Sequence, residues 1–242
     1  MSKGVTTRGE VVFMAIREDI LTGRLPPGSR LPFARLCERY DASMGVLREA
    51  LSRLSEQNLV HVEPQQGYRV APLSAEDLTD LTTARIHIES LALRESLAQG
   101  DLAWESRVIA LHHTLARTPQ SRPDDPARLT EAWTRAHAAF HAGILDGCAN
   151  RRLRSIAAGL RDCAELYLHW SRLLGPDEDR DVAGEHRALL DAVLARDTDT
   201  AVDVLVRHIQ RTTTTLLDSA AGNADLAGLG AEAGARPAPP RK

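Results

Sequence analysis

Four of the nine histidines in this chain of 242 residues fall at positions where candidate helices could bring their rings together. His137 and His141 are four residues apart, so they share one helix face and could chelate a single ion. His186 and His208 belong to two further candidate helices with apolar neighbours. A neutral imidazole among apolar side chains is costly unless a partner uses its lone pair. The spacing therefore permits a metal site, and it equally permits ordinary core or surface histidines.

The other histidines and the large aromatic residues of this region carry weaker signals. Four histidines are expected at the surface of the protein, namely His87, His112, His113 and His169. Three aromatic residues are expected in a core or a dimer contact rather than under a ligand, namely Trp133, Tyr167 and Trp170. The candidate metal-binding residues of this region are therefore His137, His141, His186 and His208.

The helices that must carry these side chains follow one another from Ser74 towards the tail. Apolar residues at helical spacing predict six of them, over residues 75–98, 101–117, 127–147, 151–173, 178–196 and 198–219. No stretch of this region alternates long enough to predict a strand. Such an antiparallel bundle can present polar side chains from several helices to one central pocket. The tail, residues 221–242, is rich in Gly, Ala and Pro and is expected to be disordered.

A second candidate site is the stretch 31–70, which predicts two short helices, a tight link and a two-stranded wing. Asp41 and Ala42 break the first helix, and Ser43 is expected to cap the second. The second helix has one apolar stripe, formed by Val46, Leu47, Ala50, Leu51 and Leu54. Its opposite face is small or basic, with Met44, Gly45, Arg48, Ser52 and Arg53. A helix with such a face can enter the major groove of DNA.

The residues after this helix predict a hairpin, because 60–62 and 68–70 alternate around a turn at 64–67. With this wing and the run Leu47-Arg48-Glu49-Ala50-Leu51, residues 9–72 resemble the winged helix-turn-helix domain of the GntR family of bacterial transcription regulators. The resemblance implies binding to double-stranded DNA through Arg35, Ser43, Met44, Gly45, Arg48, Arg53, Gln66 and Gly67.

Two of these positions depart from the family pattern. Met44 stands where an arginine usually follows the capping serine, and Gln66 stands where an arginine often precedes the wing glycine. Fewer charged contacts with DNA are therefore expected, without a change of fold. A helical protein-interaction module is the alternative interpretation of the stretch, and the ungapped length of the match argues against it.

The helical body resembles the FCD ligand-sensing domain that accompanies this head in the FadR-type branch of the family. The landmarks of the resemblance are Arg85 with Glu89, Phe140-His141, Asn150, Glu185-His186 and His208-Ile209. Many FCD domains hold a divalent metal with one aspartate and three histidines. The resemblance places His141, His186 and His208 on the three histidines, and His137 in the place of the aspartate. It also implies that Arg85 holds an effector carboxylate, although a pair with Glu89 within the helix is equally permitted.

An all-histidine site would leave a bound ion with its full double charge. Imidazole donors favour zinc or nickel, with manganese possible, over magnesium and calcium, which prefer oxygen. The uncompensated charge should also attract an anionic effector. The alternative is that His137 does not coordinate, and that water or the effector completes the shell.

Composition bounds the class of protein. Residues 1–72 hold ten Lys and Arg and eight Asp and Glu, a net charge of +2, so the remainder carries −5 to reach the overall −3. A mildly basic head on an acidic body fits a DNA-binding head with a separate sensing body. The cysteines, Cys37, Cys148 and Cys163, are far apart, which indicates reduced thiols. Without a membrane span or a signal peptide, the protein is expected in the cytoplasm.

Together these patterns predict a mainly α protein. A winged helix-turn-helix DNA-binding domain with a small β-wing is expected at 9–72. An all-α antiparallel helical-bundle (FCD) domain for effector binding and dimerisation is expected at 73–220. The predicted function is a homodimeric transcription regulator whose affinity for a palindromic operator is controlled by a small organic acid at a metal-containing pocket.

Two alternatives to this function stay open. One is a regulator that senses the metal ion itself. The other is a hydrolytic enzyme in which the metal activates water. The candidate pocket helices show no general base in a His-Glu-x-x-His arrangement, and a DNA-binding head has no purpose in such an enzyme. The sequence therefore predicts a regulator rather than an enzyme.

Overall fold

The computed structural model describes residues 7–72, 74–174 and 180–222, without the side chains of residues 127, 170–174 and 219–222. The described chain divides into two compact units, one formed by the residues up to Ala75 together with those from Asp218, and one by Glu76–Leu217. Leu73 of the expected linker, the break predicted at Gly175 and the expected tail from residue 223 lie outside the described residues.

The first unit is a three-helix head followed by a hairpin. Its helices are α1 (Arg8–Leu21), α2 (Phe33–Tyr40) and α3 (Met44–Glu56). Its strands, β1 (Val60–Glu63) and β2 (Gly67–Val70), pair antiparallel. This arrangement confirms the predicted winged helix-turn-helix.

The link between α2 and α3 has the helix end near Asp41 and the cap at Ser43 that the sequence predicts. Asp41 ends α2 in the left-handed region with a φ of 45°, and the Ser43 hydroxyl accepts a 3.4 Å hydrogen bond from the Val46 backbone N–H. The apolar stripe of α3 packs on α1. Its fully buried members are Leu47, Leu51 and Leu54 of α3 with Ile16 and Ile20 of α1. Val46, predicted in the same stripe, is only partly buried.

The wing is a tight hairpin whose base is buried. Val60 pairs with Val70, and neither residue has exposed surface. Gly67 has a φ of +91°, which lies in the left-handed region that favours glycine. Arg69 of β2 pairs with Glu63 of β1 at 2.6 Å and forms an isolated β-bridge with Arg30. This bridge brings Arg30, which is far from the wing in sequence, to its edge.

The second unit contains the helices that carry the histidines. They are α4 (Ala75–Gln99), α5 (Leu102–Arg117), α6 (Glu131–Leu145), α7 (Arg151–Leu174), α8 (Val182–Leu194) and α9 (Thr198–Gly222). The Asn150 side chain caps α7 by accepting a 3.1 Å hydrogen bond from the Leu153 N–H. No described helix combines the length and the apolar character needed to cross a membrane.

A short hairpin between α5 and α6 contradicts the sequence analysis. The strands β3 (Ser121–Arg122) and β4 (Asp125–Leu129) pair antiparallel, so the predictions of no strand here and of a helix from residue 127 are wrong. Runs of two and five residues are too short to display alternation reliably. Helix α6 begins instead at Glu131, where the Thr130 hydroxyl accepts a 3.1 Å hydrogen bond from the Trp133 N–H.

Specific contacts hold the helix ends of the second unit together. The indole Nε1 of Trp104 donates a 2.8 Å hydrogen bond to the Gly143 carbonyl, which joins α5 to α6. Arg196 donates to the carbonyls of Leu97 at 2.6 Å and Gly100 at 2.8 Å, which joins the end of α8 to the end of α4. Buried apolar residues from all six helices form one core.

The surface prediction is wrong for two of the four remaining histidines. His112 and His169 are buried, whereas His87 and His113 are exposed. The ring of His112 packs edge-on against Phe140 at 5.4 Å between centroids, and His169 Nε2 lies 3.3 Å from the Thr134 hydroxyl. Such partners offset the cost of burying an imidazole. Of the aromatic residues, Trp133 and Tyr167 are buried, as predicted, and the side chain of Trp170 lies outside the described part.

Candidate functional site

The structure brings the four predicted histidines together. His137 and His141 come from α6, His186 from α8 and His208 from α9. One nitrogen of each ring lies within 4.8 Å of the corresponding nitrogens of the others. The closest recorded pair is His141 Nε2 and His186 Nε2 at 3.2 Å.

Each ring is held by a different neighbour. His137 stacks on Trp133, with 4.7 Å between centroids and 17° between planes. His208 Nδ1 donates a 2.6 Å hydrogen bond to Glu185 Oε2, which leaves the Nε2 lone pair of that ring free to face the cluster. His141 Nδ1 is buried and has no hydrogen-bond partner among the described residues. The protein therefore leaves part of the hydrogen-bonding capacity of the cluster unused.

Burial keeps the four imidazoles neutral. It lowers the pKa of His137 and of His141 well below the usual value, with repulsion from the other rings adding to the effect. Burial likewise lowers the pKa of His186 and, despite the neighbouring Glu185 carboxylate, that of His208. Burial alone would raise the pKa of Glu185, but hydrogen bonds from His208 and Arg180 lower it to about 2. The result is four neutral nitrogen donors with a charged carboxylate behind one of them.

These donors fit a divalent transition metal. Bonds of about 2.1 Å to one ion place two nitrogens about 3.4 Å apart in a tetrahedral site, which is the usual geometry for zinc. The His141–His186 pair already has a similar separation of 3.2 Å, and small rotations of the rings would bring in the wider pairs.

A cavity of about 290 Å³ adjoins the histidine cluster. Three of the histidines line it, namely His137, His141 and His208. Its cationic residues are Arg85, Arg161 and Arg180, its acidic residues are Asp162 and Glu165, and its hydroxyl groups come from Thr82, Thr134, Thr212, Thr213, Thr215 and Tyr167. Apolar side chains, including Leu78, Leu81 and Trp133, form most of the remaining wall. This combination of a small volume, an apolar wall and convergent polar groups suits a small organic ligand.

Arg85 combines the two situations considered from the sequence. It lines the cavity, and its Nε donates a 2.7 Å hydrogen bond to the buried Glu89 carboxylate one turn along α4. The pair with Glu89 within the helix is therefore present. Since Nε is used in this contact, the two terminal nitrogens of Arg85 are the donors that a ligand could engage.

Sequence reasoning missed two of the three cationic residues of the cavity. Arg161 on α7 donates a 2.8 Å hydrogen bond from Nη1 to the His141 backbone carbonyl. Arg180 pairs with Glu185 at 2.7 Å and lies just before α8. The pattern of α7 does not single out Arg161, because arginines recur along that helix as on any solvated face.

The predicted DNA-reading residues of α2 and α3 are mostly exposed. Arg35, Met44, Gly45 and Arg48 are all accessible to solvent. The guanidinium of Arg48 lies 5.9 Å from the ring of Phe33, and neither Arg48 nor Arg35 forms an ion pair within the described part of the chain. Arg53 differs from them, because it pairs with Glu10 at 2.8 Å and stacks over Phe13.

An arginine outside the wing, which the sequence analysis did not select, places its side chain at the wing turn. Arg30 is exposed and its Nη2 donates to the side-chain oxygen of Gln66, next to Gly67 at the turn. A positive charge therefore lies at the tip of the wing, although position 66 itself holds a glutamine. Only the folded hairpin reveals this, because 36 residues separate the two side chains.

Comparisons with known proteins agree with both units. Residues 8–70 match the family model described as bacterial regulatory proteins, gntR family, and residues 80–211 match the FCD domain. An HTH-type transcriptional regulator of Paraburkholderia xenovorans, BphR, is 37% identical over 83% of this chain and 82% of its own length. The HTH-type transcriptional repressor GlaR of Escherichia coli is 34% identical over 86% of this chain and 95% of its own length.

Solved structures share the fold. The structure of McbR/YncC from Escherichia coli covers 88% of this chain and 99% of its own, with a TM-score of 0.71 and 22% sequence identity. A putative GntR transcriptional regulator from Rhodococcus covers 87% of this chain with a TM-score of 0.65 and 24% identity. The matching families and relatives are transcription regulators, which confirms the prediction of a regulator rather than an enzyme. The chain is a member of the GntR family of bacterial DNA-binding transcription regulators, with an FCD domain after its winged helix-turn-helix head.

Proposed function

We propose that this regulator binds a palindromic operator as a homodimer, and that a small organic acid at a metal-containing pocket controls its affinity for that operator. One winged head reads a short half-site, so a two-fold dimer is needed to read a palindrome. A cytoplasmic location is part of the proposal, because the operator is found there. GlaR is a transcriptional repressor that is 34% identical to this chain, which supports the same direction of action here.

The convergence of four neutral imidazoles beside an arginine-lined cavity carries the proposal. His137, His141, His186 and His208 would hold the ion, and nitrogen donors favour zinc or nickel, with manganese possible. When bound, such an ion supplies a positive centre that attracts the carboxylate of the effector. Arg85, whose Nε is already used by Glu89, would hold the same carboxylate with its terminal nitrogens.

The proposed DNA interface combines the reading helix and the wing. Arg48, Met44 and Gly45 would approach base edges from the first turns of α3, with Ser43 at the cap and Arg35 beside them. Gln66 and Gly67 would contact the backbone from the wing, with Arg30 supplying the positive charge. Arg53 is assigned the weakest contact of the set, because Glu10 already holds it.

A second candidate function is a regulator that senses the metal ion itself. The observation that favours it is the number of donors, since four imidazoles complete a tetrahedral shell without any effector. The two functions differ in whether an acid is needed once the ion is present. Both require the same histidines.

The decisive experiment measures operator binding with metal and acid varied separately. Untagged protein is depleted of metal or loaded with zinc, nickel or manganese, and its affinity for DNA selected from a random pool is measured by fluorescence anisotropy. We expect about one ion per chain, and an acid-dependent change of affinity in the loaded protein alone. Because linkage is reciprocal, operator should change acid affinity by the same factor. A response to metal without acid would favour the metal sensor, and a response to neither would refute both.

Matched histidine variants test the assignment of the site. His186→Ala should lose most of the bound metal, because His186 is the sole donor from α8. His113→Ala is the control, since that histidine is exposed on α5 and distant from the cluster in sequence. Equal metal content in the two variants would contradict the assignment.

A further inference from the structure

Arg161 is a cation in the candidate effector cavity that forms no ion pair with any described residue. It is partly buried on α7 and lines the cavity beside the histidines. Its Nη1 donates a 2.8 Å hydrogen bond to the backbone carbonyl of His141. No described residue receives a hydrogen bond from its other N–H groups. A guanidinium has five such donors, so most of its capacity to bind an anion is unused.

The neighbouring ion pairs leave Arg161 out. Glu89 is the carboxylate with the largest electrostatic effect on Arg161, but its Oε1 is already engaged by Arg85 at 2.7 Å. Glu185 is likewise engaged by Arg180 at 2.7 Å. Asp162 and Glu165 also line the cavity, and neither of them forms an ion pair with Arg161.

No described carboxylate forms an ion pair with Arg161, although Glu89, Asp162 and Asp146 attract its charge through space. Burial lowers the pKa of its guanidinium, and repulsion from Arg85 adds to that effect. An arginine remains protonated at neutral pH even so, because its usual pKa lies far above neutrality. Burial has removed part of the water that would otherwise solvate the Arg161 guanidinium. A bound anion would compensate for this lost hydration and would be held by bidentate, charge-assisted hydrogen bonds.

The position of Arg161 relates it to the histidine cluster. Its contact with the His141 carbonyl fixes the guanidinium beside a residue whose ring faces the other histidines. A ligand that contacts both the Arg161 guanidinium and the histidine cluster needs only a short carbon chain. A cavity of about 290 Å³ admits only a small ligand.

We propose that Arg161 anchors a second carboxylate, so that the effector is a short dicarboxylate with one acid group at the histidine cluster and Arg85 and the other at Arg161. The inference rests on the proposed acid-responsive function and specifies its substrate class. The threonine hydroxyls of the cavity, such as Thr212 and Thr213, offer further hydrogen bonds along the chain of the ligand.

The test compares diacids with matched monoacids on the full-length, zinc-loaded protein. Succinate, glutarate and adipate are titrated by calorimetry beside butyrate, pentanoate and hexanoate. We expect at least one dicarboxylate to bind about tenfold or more tightly than the monocarboxylate of equal length, the scale of one charge-assisted contact. Arg161→Gln should abolish this preference, measured as the ratio of dicarboxylate to monocarboxylate affinity within the variant. Arg161→Lys keeps the charge and should retain part of the preference.

Arg154→Gln is the matched control. Arg154 also lies on α7 and donates a 3.0 Å hydrogen bond to a backbone carbonyl, that of Asp146, but it does not line the cavity. The Arg154→Gln variant should therefore bind dicarboxylates as the unmodified protein does. Zinc content and circular dichroism establish that each variant is folded, and the diacid–monoacid comparison in the unmodified protein stands without any variant.

Two results would overturn the inference, and they separate it from the proposed function. If monocarboxylates bind as tightly as dicarboxylates, or if Arg161→Gln binds dicarboxylates unchanged, Arg161 is not the anchor although the regulator responds to acids. If no acid of either class binds the zinc-loaded protein, the acid-responsive function itself fails, and the dicarboxylate assignment fails with it.

Discussion

Glu185 shows how one side chain outside the histidine set determines what that set can do. Its carboxylate accepts the hydrogen bond from His208 Nδ1 at 2.6 Å and is itself held by Arg180 at 2.7 Å. The contact selects the tautomer of His208 whose Nε2 lone pair faces the cluster. A carboxylate behind a coordinating imidazole also increases its basicity, so Glu185 is a positioning residue for the proposed metal site.

Glu185→Gln should lower zinc affinity about tenfold, because the amide can still accept a hydrogen bond but no longer supplies a negative charge. Competition with a chromophoric chelator measures the change. Glu131→Gln is the control, since Glu131 forms an exposed ion pair with Arg135 on the same helix as His137. Equal zinc affinities for the two variants would remove Glu185 from the support of the site.

At the scale of elements, the head divides the contact with DNA between a helix and a hairpin. The first turn of α3 presents Met44, which is 51% exposed, where the family usually has an arginine, so this turn has one fewer positive charge. Arg30, which donates a hydrogen bond to Gln66, adds a positive charge at the wing. The reading helix is therefore expected to supply sequence discrimination and the wing to supply electrostatic affinity.

Arg48→Ala and Arg30→Ala should weaken DNA binding in different ways. Arg48→Ala should cost about 1–3 kcal/mol on the operator and little on unrelated DNA. Arg30→Ala should weaken both to a similar extent and reduce the salt dependence by about one phosphate contact. Anisotropy titrations at several salt concentrations measure both effects, with Arg135→Ala, an exposed change in the second unit, as the control. An unchanged salt slope for Arg30→Ala would exclude a phosphate contact.

At the scale of the whole molecule, the histidine cluster connects stability to pH. Burial lowers the pKa of all four histidines in the folded protein. The unfolded chain therefore binds more protons than the folded one once the pH is below about 6.5. The free energy of unfolding is then highest above this pH and decreases as the pH falls below it.

Metal-depleted protein should accordingly lose stability between pH 8 and pH 5.5, by about 1 kcal/mol for each buried histidine. Urea unfolding of the second unit at the two pH values measures the loss. His141→Gln should reduce it, whereas His113→Gln, at an exposed position, should leave it unchanged. Bound zinc should raise stability at the higher pH and lose this effect in acid, since protons compete for the same nitrogens. Equal losses in the two variants would mean that other groups control the acid response.

The sequence by itself determined the features that depend on neighbours along the chain. Helical periodicity and the cap at Ser43 predicted α3 and its buried stripe, and alternation around Gly67 predicted the wing. The spacing of His137 and His141 placed both rings on one face of α6. Each of these follows from a repeat of a few residues, which local backbone geometry converts directly into a face, a cap or a turn.

Packing between distant elements decided the rest. The meeting of His186 and His208 with the pair on α6 could be expected only through the family resemblance, and nothing in the sequence indicated Arg161 or the contact between Arg30 and Gln66. His112 and His169 were predicted at the surface because their side chains are polar. Polarity does not indicate exposure where a buried partner, such as Thr134 for His169, offsets the cost of burying the imidazole. Contacts across 20 to 45 residues, such as Arg161 with His141 and His141 with His186, exist only because the helices of the second unit pack with their polar positions facing one cavity.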